Sequence, residues 1–204
     1  MTGEDAAGRF RLFVAIALPD VIREKMLRVQ HELQALTPRG VVRWTKPEQF
    51  HLTLRFLGDV SSKQVAALQE SVRTVCVGVP ALHLCAHGVG FFPNTRSPRV
   101  IWVGITDGEN RLADFQRKIE DVVQPYSAER GGERFAGHVT LGRLNSSKYH
   151  GINVLTESAG AMKDSKFGQW TVREIEIIRS ELLATGSRYT VLAAFRLGTD
   201  IALL

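Results

Sequence analysis

The chain has 204 residues, 44% hydrophobic and 23% charged, which is long enough for a packed core and too ordinary for a disordered or repetitive polymer. Its longest apolar run, Leu12 to Leu18, is far short of the roughly 18 residues a membrane span needs, and Glu4 and Asp5 ahead of it do not read as a secretory signal. A net charge of +5 with a pI near 9.5 leans toward a polyanionic partner without identifying it.

Residues 1–9 read as a flexible leader and 10–204 as one domain. From Arg11 to Leu18 the chain reads as a strand buried on both faces, ended by Pro19. Asp20 is the expected N-cap of a helix whose Ile22, Met26, Val29, Leu33 and Leu36 make one apolar stripe. Pro38, Arg39 and Gly40 stop it. A short strand from Val41 to Trp44 leads to a turn at Pro47. From Phe50 to Leu57 the sequence alternates: His51, Thr53 and Arg55 share one face, and Leu52, Leu54 and Phe56 the other. Gly58 and Asp59 are expected to turn the chain, and Ser61 with Gln64 forms a capping box for a helix bearing Val65, Leu68, Val72 and Cys76.

Strands near Ala81 to Val89 and Val100 to Ile105 flank the turn-rich FFPNTRSP. A helix from about Glu109 to Val123, a polar loop over 127–132 and a strand from Phe135 to Arg143 come next. The tail is expected to hold a helix around Ile152 to Met162 and two strands, near Val172 to Ser180 and Tyr189 to Leu197. Nothing marks a second domain, and the mixture predicts α+β with largely antiparallel sheet. Cys76 and Cys85 are too few for a disulfide scaffold and read as reduced thiols in a cytoplasmic protein.

Two tetrapeptides carry the chemistry. His51-Leu52-Thr53-Leu54 and His138-Val139-Thr140-Leu141 repeat one word, H-x-T-x, in the two halves of the chain. With six His and 13 Thr, such a coincidence arises by chance in roughly one sequence in twenty, so context has to decide. Both copies fall in predicted strands with aliphatics between and after, which suggests a duplicated unit. Period two places His and Thr on one face, ~6.6 Å apart along the strand. Imidazoles titrate near neutrality, so one can accept a proton while the other donates one, and hydroxyls can donate to non-bridging phosphate oxygens. Such a set suits phosphodiester chemistry without a metal or other cofactor.

With RLFVAIALP, RWTKPEQFHLTLRFLGDV, FFPNTRSPRVIWVGI, FAGHVTLGRL and GSRYTVLAAFRL, the chain resembles the two-histidine phosphoesterases. It is most similar to the RNA 2′,3′-cyclic phosphodiesterases, also called 2′-5′ RNA ligase-like proteins. The resemblance spans about residues 10 to 197, and Gly142 departs from it. It implies a bilobal α+β fold, two pseudo-symmetric lobes of largely antiparallel sheet with outer helices and a central cleft. It implies opening of a 2′,3′-cyclic phosphate on an RNA or nucleotide end to a 2′-phosphate, together with slow reversible 2′-5′ ligation. His51 and His138 would be the catalytic pair, and Thr53 and Thr140 would hold the phosphate. We read His138 as base and His51 as acid, though nothing in the sequence decides this.

Phe56 and Arg143 each stand five residues after a motif histidine. The resemblance suggests an aromatic contact to a base and a cation near the phosphate. An odd offset on a regular strand points the other way, which makes Phe56 core and leaves Arg143 dependent on a break at Gly142. Arg43, Trp44 and Lys46 precede the first motif and belong to the cleft mouth or a solvated rim. His83, Cys85 and His87 alternate on one strand, but the outer pair would be ~13 Å apart, too far to converge on zinc. The expected partners are RNA ends or nucleoside 2′,3′-cyclic phosphates, with no membrane and a monomeric chain. The competing class is a nucleotide- or RNA-end-binding module without turnover.

Overall fold

Leu12 to Ile16 are almost wholly buried because the first strand lies inside a sheet, with neighbours on both sides and helices over one face. The computed structural model describes residues 8–127, 135–145, 152–184 and 186–198. In chain order they form β1 (Arg9–Ala17), α1 (Asp20–Ala35), β2 (Val42–Trp44), β3 (His51–Ser61), α2 (Val65–Cys76), β4 (Leu82–Phe92) and β5 (Val100–Thr106). Then come α3 (Arg111–Val123), β6 (His138–Leu144), α4 (Ile152–Ala161), β7 (Lys166–Val172), β8 (Glu174–Leu183) and β9 (Gly186–Arg196).

The strands form two antiparallel sheets, ordered β3-β1-β8-β9 and β2-β6-β5-β4-β7. Apart from β2 the orders correspond position by position, with β3 matching β6 and β1 matching β5. The architecture is the expected α+β fold of two pseudo-symmetric lobes. Helices α2 and α3 cover the first sheet, and α1 and α4 cover the second. Each sheet buries the aliphatics of its helix face: Leu12, Val14, Leu52 and Ile177 in one, Ile101, Val103, Val139 and Leu84 in the other. No helix among the described residues is long and apolar enough to cross a membrane.

Several local expectations change. Arg9 already belongs to β1, its guanidinium donating to the Asp59 carbonyl at 2.9 Å; residues 1–7 and 128–134, which include most of the polar loop, lie outside the described residues. Pro19, not Asp20, caps α1, and Asp20 pairs with Arg23 at 2.6 Å. Ser61 makes no cap bond. A 3₁₀ turn over Ser62–Gln64 replaces the capping box, and α2 starts at Val65. Helix α3 starts at Arg111, with the Asp107 carboxylate accepting the Leu112 N–H at 3.1 Å. Gly58 does not turn the chain. At φ 68 it makes a bulge that lets β3 run on to Ser61. The tail holds a third strand, β7, hidden in the sequence by polar residues and by Gly168.

Candidate active site

Both histidines open the strand that carries them, at the place where the two sheets approach each other. In the ladder of β3 with β1, Ala17, Ala15 and Phe13 face His51, Thr53 and Phe56 in turn. In the ladder of β6 with β5, Gly104, Trp102 and Val100 face His138, Thr140 and Arg143. Each partner advances in steps of two, so all three motif-strand residues share one face. The odd offset is absorbed by one extra residue after each threonine, Leu54 in β3 and Leu141 in β6. The break needed for Arg143 is therefore present, and the expectation of a core Phe56 is overturned. Phe56 is 43% exposed, with its ring 5.5 Å from that of Phe13 on the histidine face.

The same bulge removes Arg55 from the cleft. Its Cα partner is Val14, a residue of the helix face, and its guanidinium lies 3.1 Å from the Glu120 carboxylate on α3. That pair is largely covered, with Arg55 only 11% exposed.

The two imidazoles are held identically. His51 Nδ1 lies 2.6 Å from the Gln49 carbonyl and His138 Nδ1 2.8 Å from the Ala136 carbonyl, each two residues upstream. A carbonyl only accepts, so both Nδ1 atoms carry the proton and both Nε2 atoms are left for chemistry. Aromatic rings back each imidazole. Phe13 lies 4.8 Å from His51, and Tyr189 of β9 meets it edge-on at 5.5 Å. Phe92 of β4 meets His138 at 4.8 Å and rests on Trp102 at 5.1 Å. Gly90 makes room for that indole, since a Cβ there would come within 2.3 Å of it.

Burial holds both histidines below the ordinary imidazole range, the hydrogen bonds to Gln49 and Ala136 opposing this in part. Positive charge on His138 lowers His51 further, and the Arg143 guanidinium does the same to His138. The two motifs thus share one electrostatic site. Burial raises the Tyr189 hydroxyl, with Arg143, Arg11 and Arg43 acting against it from three strands. A cavity of about 670 Å³ lined by Phe92, Pro93, Ser97, Arg99, Val100, Ala136 and His138 continues the cleft beyond the second histidine.

Within the second lobe α1 is tied to β6 and to the end of β2 by Gln30, the one buried polar side chain among the described residues. Its amide donates to the carbonyls of Thr45 and Leu141 at 2.7 and 2.8 Å, and Thr45 N–H also donates to Leu141. The carbonyl of the bulged residue is thereby satisfied outside its ladder. The departure at Gly142 also has a cause: a Cβ would meet Val42 at 2.7 Å and Trp44 at 3.0 Å, so glycine lets β2 pack against β6. Sequence reasoning missed Phe13, Phe92, Tyr189 and Gln30: in isolation the aromatics look like ordinary core residues, and Gln30 looks like a polar residue on a helix surface. His83, by contrast, bonds Thr171 at 3.1 Å on β4 and β7, and no metal-binding group of His, Cys, Asp or Glu occurs among the described residues.

A family model described as LigT-like phosphoesterase matches residues 16–102. The RNA 2′,3′-cyclic phosphodiesterase of Methanothermobacter thermautotrophicus is 31% identical over 191 residues, covering 93% of this chain and all of that protein. The one from Aquifex aeolicus is 28% identical, covering 92% and 97%. Among solved structures, a Thermus thermophilus protein superposes with TM-score 0.75 at 26% identity, covering 93% of this chain and 100% of that one. Escherichia coli LigT complexed with 3′-AMP superposes with TM-score 0.72 at 25% identity, covering 94% and 99%.

Proposed function

The chain belongs to the LigT-like phosphoesterase family, and on that premise we propose that it hydrolyses 2′,3′-cyclic phosphates on RNA or nucleotide ends to 2′-phosphates by two-histidine acid–base catalysis. The relatives named RNA 2′,3′-cyclic phosphodiesterase support the reaction class. The observation that carries the mechanism is the coupled pair of imidazoles, each anchored through Nδ1 and flanked on its own strand by a threonine.

In this reading a water oxygen attacks phosphorus in line with the bond to the 3′ oxygen. His138 Nε2 takes the water proton as the P–O3′ bond breaks, and His51 Nε2 gives its proton to the departing oxygen. Charge on Arg143 disfavours a protonated His138, and charge on His138 disfavours a protonated His51, so the pair holds one proton between them, which this reading assigns to His51. Thr53 and Thr140 hydroxyls hold the non-bridging oxygens, Phe56 contacts the base, and Arg143 supplies a cation near the phosphate. The same steps with an RNA 5′-hydroxyl in place of water give 2′-5′ ligation, and their reversal cleaves that linkage to restore the cyclic phosphate. We propose in addition that it acts as a monomer, in the cytoplasm, on RNA ends.

The deciding experiment incubates the protein with a nucleoside 2′,3′-cyclic phosphate in EDTA and identifies the isomer formed. Release of the 2′-phosphate is expected. No turnover, or turnover abolished by the chelator, would leave only a binding module or a metal-dependent enzyme. A 3′-phosphate product would keep the enzyme and reverse its regiochemistry.

A further inference from the structure

Arg43 of β2 and Arg143 of β6 are direct Cα partners across an antiparallel ladder. They point the same way. Val42 and Trp44 crowd the core side of Gly142, so the residue between them faces the cleft, as Arg143 does. Both are exposed, and neither they nor Arg11 enter any ion pair among the described residues. Like charges placed directly opposite each other destabilise a sheet. No ion pair among the described residues compensates that cost, and Arg11 of β1 adds a third cation within electrostatic reach of the same Tyr189 hydroxyl. Two arginines directly opposite each other on one face, with a third cation whose field reaches the same hydroxyl, are matched by an anion that arrives from outside.

We propose that Arg43 and Arg143, with Arg11 and Tyr189 across the cleft, form a second phosphate site. It takes the phosphate on the 5′ oxygen of the nucleotide whose cyclic phosphate lies at the histidines. The inference rests on the proposed function and adds to it a preference for substrates carrying that phosphate. The spacing fits. Thr140 faces Trp102 and Arg143 faces Val100, two positions along β5, so the backbone positions carrying the two sites are ~6.6 Å apart along the strand. The C3′–C4′–C5′ segment of one ribose bridges a gap of that order. A single nucleotide then reaches from the reacting phosphorus to the arginine pair, and the RNA chain leaves the cleft over β2.

The test compares kcat/KM for three probes: a nucleoside 2′,3′-cyclic phosphate, the same compound with a 5′-phosphate, and a dinucleotide ending in the same cyclic phosphate. The protein should prefer the latter two. Arg43→Gln should reduce that preference about tenfold, the scale of one charge-assisted contact, and flatten the salt dependence of log KM for the dinucleotide by about 0.7. Arg43→Lys should recover part of both. Because the substitution removes a like-charge repulsion, the melting temperature of Arg43→Gln should not fall, whereas a structural arginine would lower it. An unchanged preference and salt slope in Arg43→Gln would overturn the second site. Preference for the 5′-phosphorylated mononucleotide alone would assign the site to a terminal phosphate and overturn the RNA exit over β2. Failure of the unmodified protein on the plain cyclic nucleotide would instead overturn the underlying function.

Discussion

Phe13 and His51 lie with ring centroids 4.8 Å apart at 33°, on neighbouring strands of one sheet. Phe92 stands at the same 4.8 Å from His138 in the other sheet. This apolar cover is part of the burial that lowers both imidazoles. The kcat/KM profile of the free enzyme should therefore be a bell lying on the acid side of the ordinary imidazole value of about 6.5, with its two limbs belonging to the coupled pair. Phe13→Leu or Phe92→Leu should move the bell toward higher pH by admitting water. A bell centred well on the alkaline side would contradict the buried, coupled pair.

The same shifts have a stability counterpart. A histidine with a lowered folded-state value binds fewer protons folded than unfolded. Above about 6.5 neither state is protonated there; below it the unfolded chain gains protons first and the fold loses stability until the folded-state values are passed. Melting temperatures should fall as pH drops through that window, and a His51→Gln/His138→Gln double variant should lose part of the slope.

His51→Ala and His138→Ala should each lower the rate at least ~10²-fold, the usual general acid–base contribution, with little change in folding. Thr53→Val and Thr140→Val should leave the pH profile in place but lower kcat by about 10²-fold, as removal of a phosphate-oxygen donor does. Single-turnover kinetics on a cyclic nucleotide separates the two classes.

The motifs themselves are readable because H-x-T-x needs only the period of a strand. The residues just after each motif are not readable in that way. Bulges at Leu54 and Leu141 depend on how β1 and β5 pair with them, and no local pattern in HLTLRFLG or HVTLGRL announces that. For this reason strict alternation puts Phe56 in the core and Arg55 beside His51, each on the wrong face. Strand β7 escapes for a related reason: its Gly168, at φ 133, packs over Ile22 of α1, a contact far away in sequence. The aromatic backing by Phe13 and Phe92 is equally non-local.

Arg55→Ala tests the corrected placement. Breaking the covered pair with Glu120 should destabilise the fold by about 2 kcal/mol, less than a fully buried pair because Glu120 is partly solvated, while kcat/KM stays unchanged. Loss of activity at unchanged melting temperature would return Arg55 to the cleft.

Gly90→Ala should be far more damaging than one methyl suggests. Its Cβ would enter the Trp102 ring, and the overpacking should cost roughly 1–3 kcal/mol. Displacing the indole also loosens Phe92 and with it His138. Both thermal stability and kcat should fall, and a second-site Trp102→Phe should recover part of each.

The division of strands between the sheets sets an order of assembly. The sheet with His51 draws β1 and β3 from the start of the chain and β8 and β9 from its end. During synthesis the His138 sheet can be complete while β1 still shows an unpaired edge to the solvent. The C-terminal hairpin closes that edge and brings Tyr189 against His51 in the same event. A product truncated before β8 would still hold both motif histidines and both motif threonines, yet one wall of the cleft would be missing. Catalytic competence thus waits for β8 and β9.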